Sequence, residues 1–164
     1  MRPNQIFAAM APEKCEQILR KIGDESPEAL KRTVVACAQV MKFRPQFLLK
    51  QPFPKRAASV RRALARSSAN PLAEELLAVY FLKCRLPLLE EWLGLMGLEH
   101  EEGILTQDEV PCPAAGELEE KVAKFRAVDG DEDRELLLHV FASQAAIDWP
   151  ALDALLDAKD AAAS

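Results

Sequence analysis

Apolar residues recur along the chain three and four positions apart, the spacing that gathers side chains on one face of a helix. Cys15, Ile18, Leu19 and Ile22 keep this spacing, and so do Leu30, Val34, Cys37, Ala38 and Met41. It returns in Leu118, Val122 and Phe125, and again in Leu136, Leu137, Val140 and Phe141. The densest stretch runs from Asn70 to Gly97, where the apolar run Leu76 to Leu82 is followed by a second from Pro87 to Leu98. Runs this broad exceed one face of a surface helix and predict helices covered on most sides.

Helix punctuation is frequent. Ser26-Pro27-Glu28 supplies an N-cap hydroxyl, a proline at the first helical position and an acid facing the positive helix end. Asn70-Pro71 is expected to cap the central helix in the same manner. Gly23 is expected to stop the second helix, and Gly97 to close another in a left-handed cap. Pro87 predicts the first turn of a new helix, because an interior proline costs about 3 kcal/mol. Asp148 is the expected N-cap of the last helix, with Ile147 and Leu152 as its hydrophobic staple. Pro45, Pro52 and Pro54 mark a connector whose Phe43, Phe47, Leu48 and Phe53 are expected to dock on the core. In the helix from Pro54 to about Ser67, Ala57, Val60 and Leu64 form a narrow apolar stripe, opposite Lys55, Ser59, Arg62 and Arg66. Glu99 to Pro113 has no helical period, and Ile104 to Thr106 could form a short extended piece.

The expected fold is therefore all-α, a compact bundle or irregular array of about eight short helices around a central helical hairpin at 71–97. A length of 164 residues suits a single domain, with residues 159–164 as a frayed tail. Composition agrees: 26 alanines outnumber the 16 valines, isoleucines and threonines, and alanine loses no side-chain entropy in a helix.

Candidate chemistry is sparse. The four cysteines, Cys15, Cys37, Cys84 and Cys112, form no Cys-x-x-Cys pair, so neither a zinc knuckle nor a thioredoxin-type site is indicated. Three sit in apolar helical patterns, whereas Cys112 lies in an expected loop between two prolines. His100, in Glu99-His100-Glu101-Glu102, is expected in a solvated acidic loop. His139 shares a helix face with Glu132 and Glu135 and is expected in a surface ion pair with Glu135. Asp129 to Asp133 starts like a calcium loop, but its sixth and twelfth positions hold Arg134 and Val140 rather than glycine and glutamate. No phosphate cradle or nucleophile elbow occurs. The chain is thus expected to be non-enzymatic and without a cofactor.

Charge changes the picture most. From Lys31 to Ala73 there are ten basic residues and no acid. Residues 1–73 carry net charge +9 and residues 74–164 carry −14, within a total of −5. Such asymmetry points to a charged partner or to two parts of one molecule that attract each other. The basic segment 31–66 could bind nucleic acid, could meet an acidic protein surface or another copy, or could be compensated within the fold. The overall negative charge and the scarcity of aromatic residues in the basic helix favour protein over nucleic acid. The expected role is protein–protein interaction, with homo-oligomer formation possible. Its contact residues are expected to be Lys42, Arg44, Lys50, Lys55, Arg56, Arg61, Arg62 and Arg66. Lys83 and Arg85 divide the longest apolar stretch, so no membrane partner is expected. The N-terminal apolar patch Ile6 to Ala11 is marginal for a signal segment, and the expected location is cytoplasmic.

Overall fold

The computed structural model describes residues 1–163 and is all-α, 72% helical with ten helices. Its contacts separate into two units, residues 2–84 and residues from 85 onward. The boundary falls inside the stretch expected to form one hairpin, so its two apolar runs belong to different units.

The N-terminal unit contains α1 (Pro3–Ala9), α2 (Pro12–Glu25), α3 (Pro27–Val40), α4 (Pro45–Leu49), α5 (Phe53–Leu64) and α6 (Asn70–Val79). A 3-10 turn, Ser67–Ala69, precedes α6, and a π-helical segment, Tyr80–Cys84, follows it. Helix α2 packs on α3, α5 and the π segment, and α1 packs on α5 and α6. Between them lie the buried Phe7, Ile18, Ile22, Cys37, Val60 and Leu77. Each of these six helices has a proline in its first two positions, where the missing N–H breaks no hydrogen bond and the fixed φ suits the helix.

Two local expectations are corrected here. Gly23 does not stop α2, which continues to Glu25; a Cβ at Gly23 would lie only 2.7 Å from Leu30 Cδ2. This glycine serves close packing of α2 on α3. Asn70 does not cap α6 either. Its Oδ1 accepts a 3.1 Å hydrogen bond from the Asn4 N–H, and Asn4 Nδ2 donates to the Ala65 carbonyl at 3.3 Å. The side chain ties α1 to the start of α6. Ser26 behaves as expected, accepting from Ala29 N–H at 3.3 Å.

The C-terminal unit contains α7 (Leu86–Met96), the strands β1 (His100–Glu101) and β2 (Ile104–Leu105), α8 (Ala115–Arg126), α9 (Asp133–Ala142) and α10 (Pro150–Ala163). Pro87 lies in the first turn of α7 and Gly97 closes it in the left-handed region with φ +69°, as the sequence predicts. An aromatic chain forms the core. Trp92 stands 5.0 Å from Phe125 and 5.5 Å from Phe141 between ring centroids, and Phe141 stands 5.3 Å from Trp149. Trp149 Nε1 donates to the Val110 carbonyl at 2.8 Å, and Val110 N–H donates to the Ala146 carbonyl at 3.1 Å. These bonds hold the loop before α8 against the segment before α10. Helix α10 starts at Pro150, so Trp149 rather than Asp148 precedes it. It stays helical through Ala163, and Lys159 Nζ lies 2.8 Å from Glu135, so the tail is not frayed at Lys159.

Candidate protein-interaction surface

The basic surface begins where α3 ends. Phe43 N–H donates to the Ala38 carbonyl at 2.8 Å and Lys42 N–H to the Gln39 carbonyl at 3.1 Å, the paired bonds of a Schellman cap. The residue between these turns must be left-handed, and glycine usually occupies it. Here it is Lys42, with φ +58°. Pro45 then opens α4, a helix inside the expected connector, and Leu48 is the one residue of α4 that is fully buried.

Leu48 on the core turns Phe47 outward. Phe43 and Phe47 are 40% and 55% exposed, with their rings edge to face at 5.6 Å. This corrects the expectation that both dock on the core. Phe53 is only half-buried, with the Arg20 guanidinium 4.3 Å and the Arg56 guanidinium 5.4 Å from its ring centre. Lys42, Arg44 and Lys50 flank the exposed pair along the chain, and all three are exposed. Among the described residues these three and Lys55 enter no ion pair or side-chain hydrogen bond.

The remaining expected contact residues are largely used inside the fold. Arg61 Nε donates to the Met10 carbonyl at 2.8 Å and its Nη2 to the Ala8 carbonyl at 3.2 Å, capping the end of α1. Arg66 Nη1 donates to the Val40 carbonyl at 3.3 Å, at the end of α3. A cation at a helix C-terminus meets the negative end of the helix dipole. Arg62 donates to Ser59 Oγ at 3.3 Å. Ser59 itself is buried, so the expected polar stripe of α5 is broken there; Ala63 takes part in the buried face. The structure thus separates the eight residues. Lys42, Arg44 and Lys50 stand exposed in the segment of the aromatic pair, Lys55 stands exposed on α5, and Arg56, Arg61, Arg62 and Arg66 contact their own unit.

The aromatic pair was the signal that sequence reasoning missed. Phe43 and Phe47 are four apart, which reads as one helix face, but Arg44-Pro45 breaks the helix between them. Only the burial of Leu48 decides which way the pair points.

The other candidate groups are inert or structural. Burial pushes the Cys15 thiol up to about 12, against the lowering effect of nearby Arg61, and burial with Cys15 beside it does the same for Cys37. Cys84 is also raised, first by burial and then by Glu25. Cys112 is exposed as expected. His139 is not on the surface: its side chain is 11% exposed, with Nε2 4.0 Å from Glu135 and 3.8 Å from Asp160. Burial lowers its pKa, although Asp160 and Glu135 oppose the shift. Glu135 is held below the usual carboxylate range, because hydrogen bonds from Arg126 and Lys159 outweigh its burial. Among the described residues no helix is long and apolar enough to cross a membrane. No family model, curated protein or solved structure matches the chain.

Proposed function

We propose that this chain is a non-enzymatic interaction protein of the cytoplasm that contacts an acidic protein surface through the corner formed by α3 and α4. The observation that carries the reading is the exposed Phe43–Phe47 pair flanked in sequence by the exposed Lys42, Arg44 and Lys50, within a segment that holds no acid. Interfaces draw their affinity from aromatic anchors and their encounter rate and specificity from complementary charge. This corner offers both. Its four free cysteines suit a reducing compartment.

The test is a salt-dependent titration of the full chain with an acidic peptide carrying paired aliphatic residues, alongside single-stranded and duplex DNA and RNA. Peptide binding is expected to weaken with salt and to be lost in Phe43→Ala/Phe47→Ala and in Lys42→Glu/Arg44→Glu/Lys50→Glu. Exposed aromatics beside cations also stack on bases. Oligonucleotide binding that these substitutions abolish, with no peptide binding, would replace the proposal by nucleic-acid recognition.

A further inference from the structure

The chain itself carries an acidic surface of the kind the corner would recognise. Between Arg85 and Lys121 there are ten acids and no lysine or arginine, the mirror of the acid-free run from Lys31 to Ala73. In its middle, β1 and β2 pair antiparallel, with Glu101 opposite Ile104 and His100 opposite Leu105. The turn between them has Glu102 at φ +48° and Gly103 at φ +88°, two left-handed residues as a tight primed hairpin turn requires. Gly103 N–H donates to His100 Nδ1 at 3.0 Å, which steadies the turn. His100 therefore has a structural use in this loop. The hairpin holds out Ile104, which is 60% exposed, among the exposed Glu99, Glu101 and Glu102.

Two further observations pair this hairpin with the basic corner. Phe43 and Phe47 are the large apolar residues exposed in the N-terminal unit, while Met1, Ile104 and Val128 are those outside it. Among the described residues only Lys42 and Glu102 are non-glycine residues with positive φ. A left-handed non-glycine residue is strained, and each of these puts a charged side chain where glycine would fit without strain. One is the cation beside the exposed rings; the other is the anion beside the exposed isoleucine.

We infer that the acidic partner of the α3–α4 corner is the β1–β2 hairpin of a second copy of this chain, an inference that rests on the reading of the corner proposed above. Ile104 of one copy covers Phe43 and Phe47 of the next, and Glu99, Glu101 and Glu102 face Lys42, Arg44 and Lys50. The two patches differ, so a pair of copies either exchanges both contacts across a two-fold axis or leaves one corner and one hairpin free, from which assembly continues until a ring closes or extends as an open chain.

Sedimentation of the full chain across protein concentration and salt tests this. Wild type is expected to associate, and to do so less as salt rises. Phe43→Ala/Phe47→Ala and Ile104→Ser should each weaken association by about tenfold or more. The charge-reversed variants Lys42→Glu/Arg44→Glu/Lys50→Glu and Glu99→Lys/Glu101→Lys/Glu102→Lys should each be monomeric, and mixing them should restore association with the two variants in equal amounts. All these positions but Lys42 and Glu102 lie in ordinary backbone and all are exposed, and circular dichroism of each variant checks that it is folded. A wild type that stays monomeric at low salt up to about 1 mM overturns the inference, as does association that the substitutions leave unchanged. Should the monomer still bind the acidic peptide, the corner's acidic specificity stands and only the identity of the partner is wrong.

Discussion

The two units handle arginine differently. In the N-terminal unit Arg61 and Arg66 are given to the carbonyls that end α1 and α3, and Arg20 and Arg56 lie over the ring of Phe53. Arg20 with Glu16, one turn apart on α2, is the exposed exception. In the C-terminal unit every arginine meets a carboxylate. Arg85 reaches Asp131 at 2.6 Å and Asp133 at 3.2 Å, Arg126 forks onto Glu135 at 2.9 and 2.6 Å, and Arg134 forks onto Glu91 at 2.9 Å twice. Carbonyls carry no net charge, so cations that cap helices leave the N-terminal unit positive: 15 basic against 7 acidic residues over 2–84. The other unit holds 19 acids against 6 bases over 85–164, so its paired arginines leave it negative. Neither unit neutralises its own surface. The lesson is that an arginine's acceptor decides which cations stay available at a surface, while the count of acids and bases sets its net charge.

Substitutions can break this comparison. The largest effect is expected at Arg134, which is 8% exposed, donates to the Phe125 carbonyl at 3.0 Å and lies 4.7 Å from the Phe125 ring centre. Arg134→Ala should cost about 2–4 kcal/mol in urea unfolding, because a buried carbonyl and the aromatic packing lose their partner. A variant within experimental error of wild type would show that carboxylate pairing is incidental to the C-terminal unit. Acidification should act on the same unit. Glu135 is stabilising above its unfolded pKa, and that contribution disappears as pH falls through its lower folded value. Burial lowers the His139 pKa, so below its unfolded pKa the unfolded chain takes up a proton the folded chain resists, and stability falls further. Urea midpoints read from pH 7 downward should decrease, and Glu135→Gln/His139→Phe should flatten the slope.

Arg61→Ala should cost about 1–2 kcal/mol through two lost helix-end hydrogen bonds. Its effect should change little with salt, because the acceptors are uncharged; a strong salt dependence would contradict the assignment. Lys42→Gly should stabilise by about 1 kcal/mol, since glycine relieves the left-handed strain. Loss of stability there would mean that the lysine side chain has a packing role. The smallest effect is expected from Phe43→Ala, within about 0.5 kcal/mol, as for surface positions away from the core.

Much of the helical frame was legible in the residues. Proline starts at α3 and α7, the glycine end of α7 and the inward face of α8 follow from local rules that tertiary contacts reinforce; in α9 Leu138 is buried and Leu136 only half-buried, against the expected face. What escaped depends on what lies across from a residue. Gly23 looked like a stop signal but is a contact point for Leu30. Asn70 looked like a cap, yet its amide is claimed by Asn4, 66 positions away. Asp133 and Arg134 fall in the run that starts like a calcium loop, yet both are buried in ion pairs. At the candidate surface the charge run was visible as a run. Which cations remain available was not, because a carbonyl acceptor at the end of a distant helix leaves no trace in the local pattern.

Proline opens eight of the ten helices, from Pro3 in α1 to Pro150 in α10, leaving only α8 and α9 without one. Each ring narrows the conformations open to the denatured chain, which at a compatible site lowers the entropy lost on folding by about 0.4–1 kcal/mol. That contribution corresponds to no contact and would survive removal of any single packed side chain. It gives short helices of 5 to 14 residues a reason to begin where they do, and makes their starting points more tolerant of change in the surrounding core than their ends.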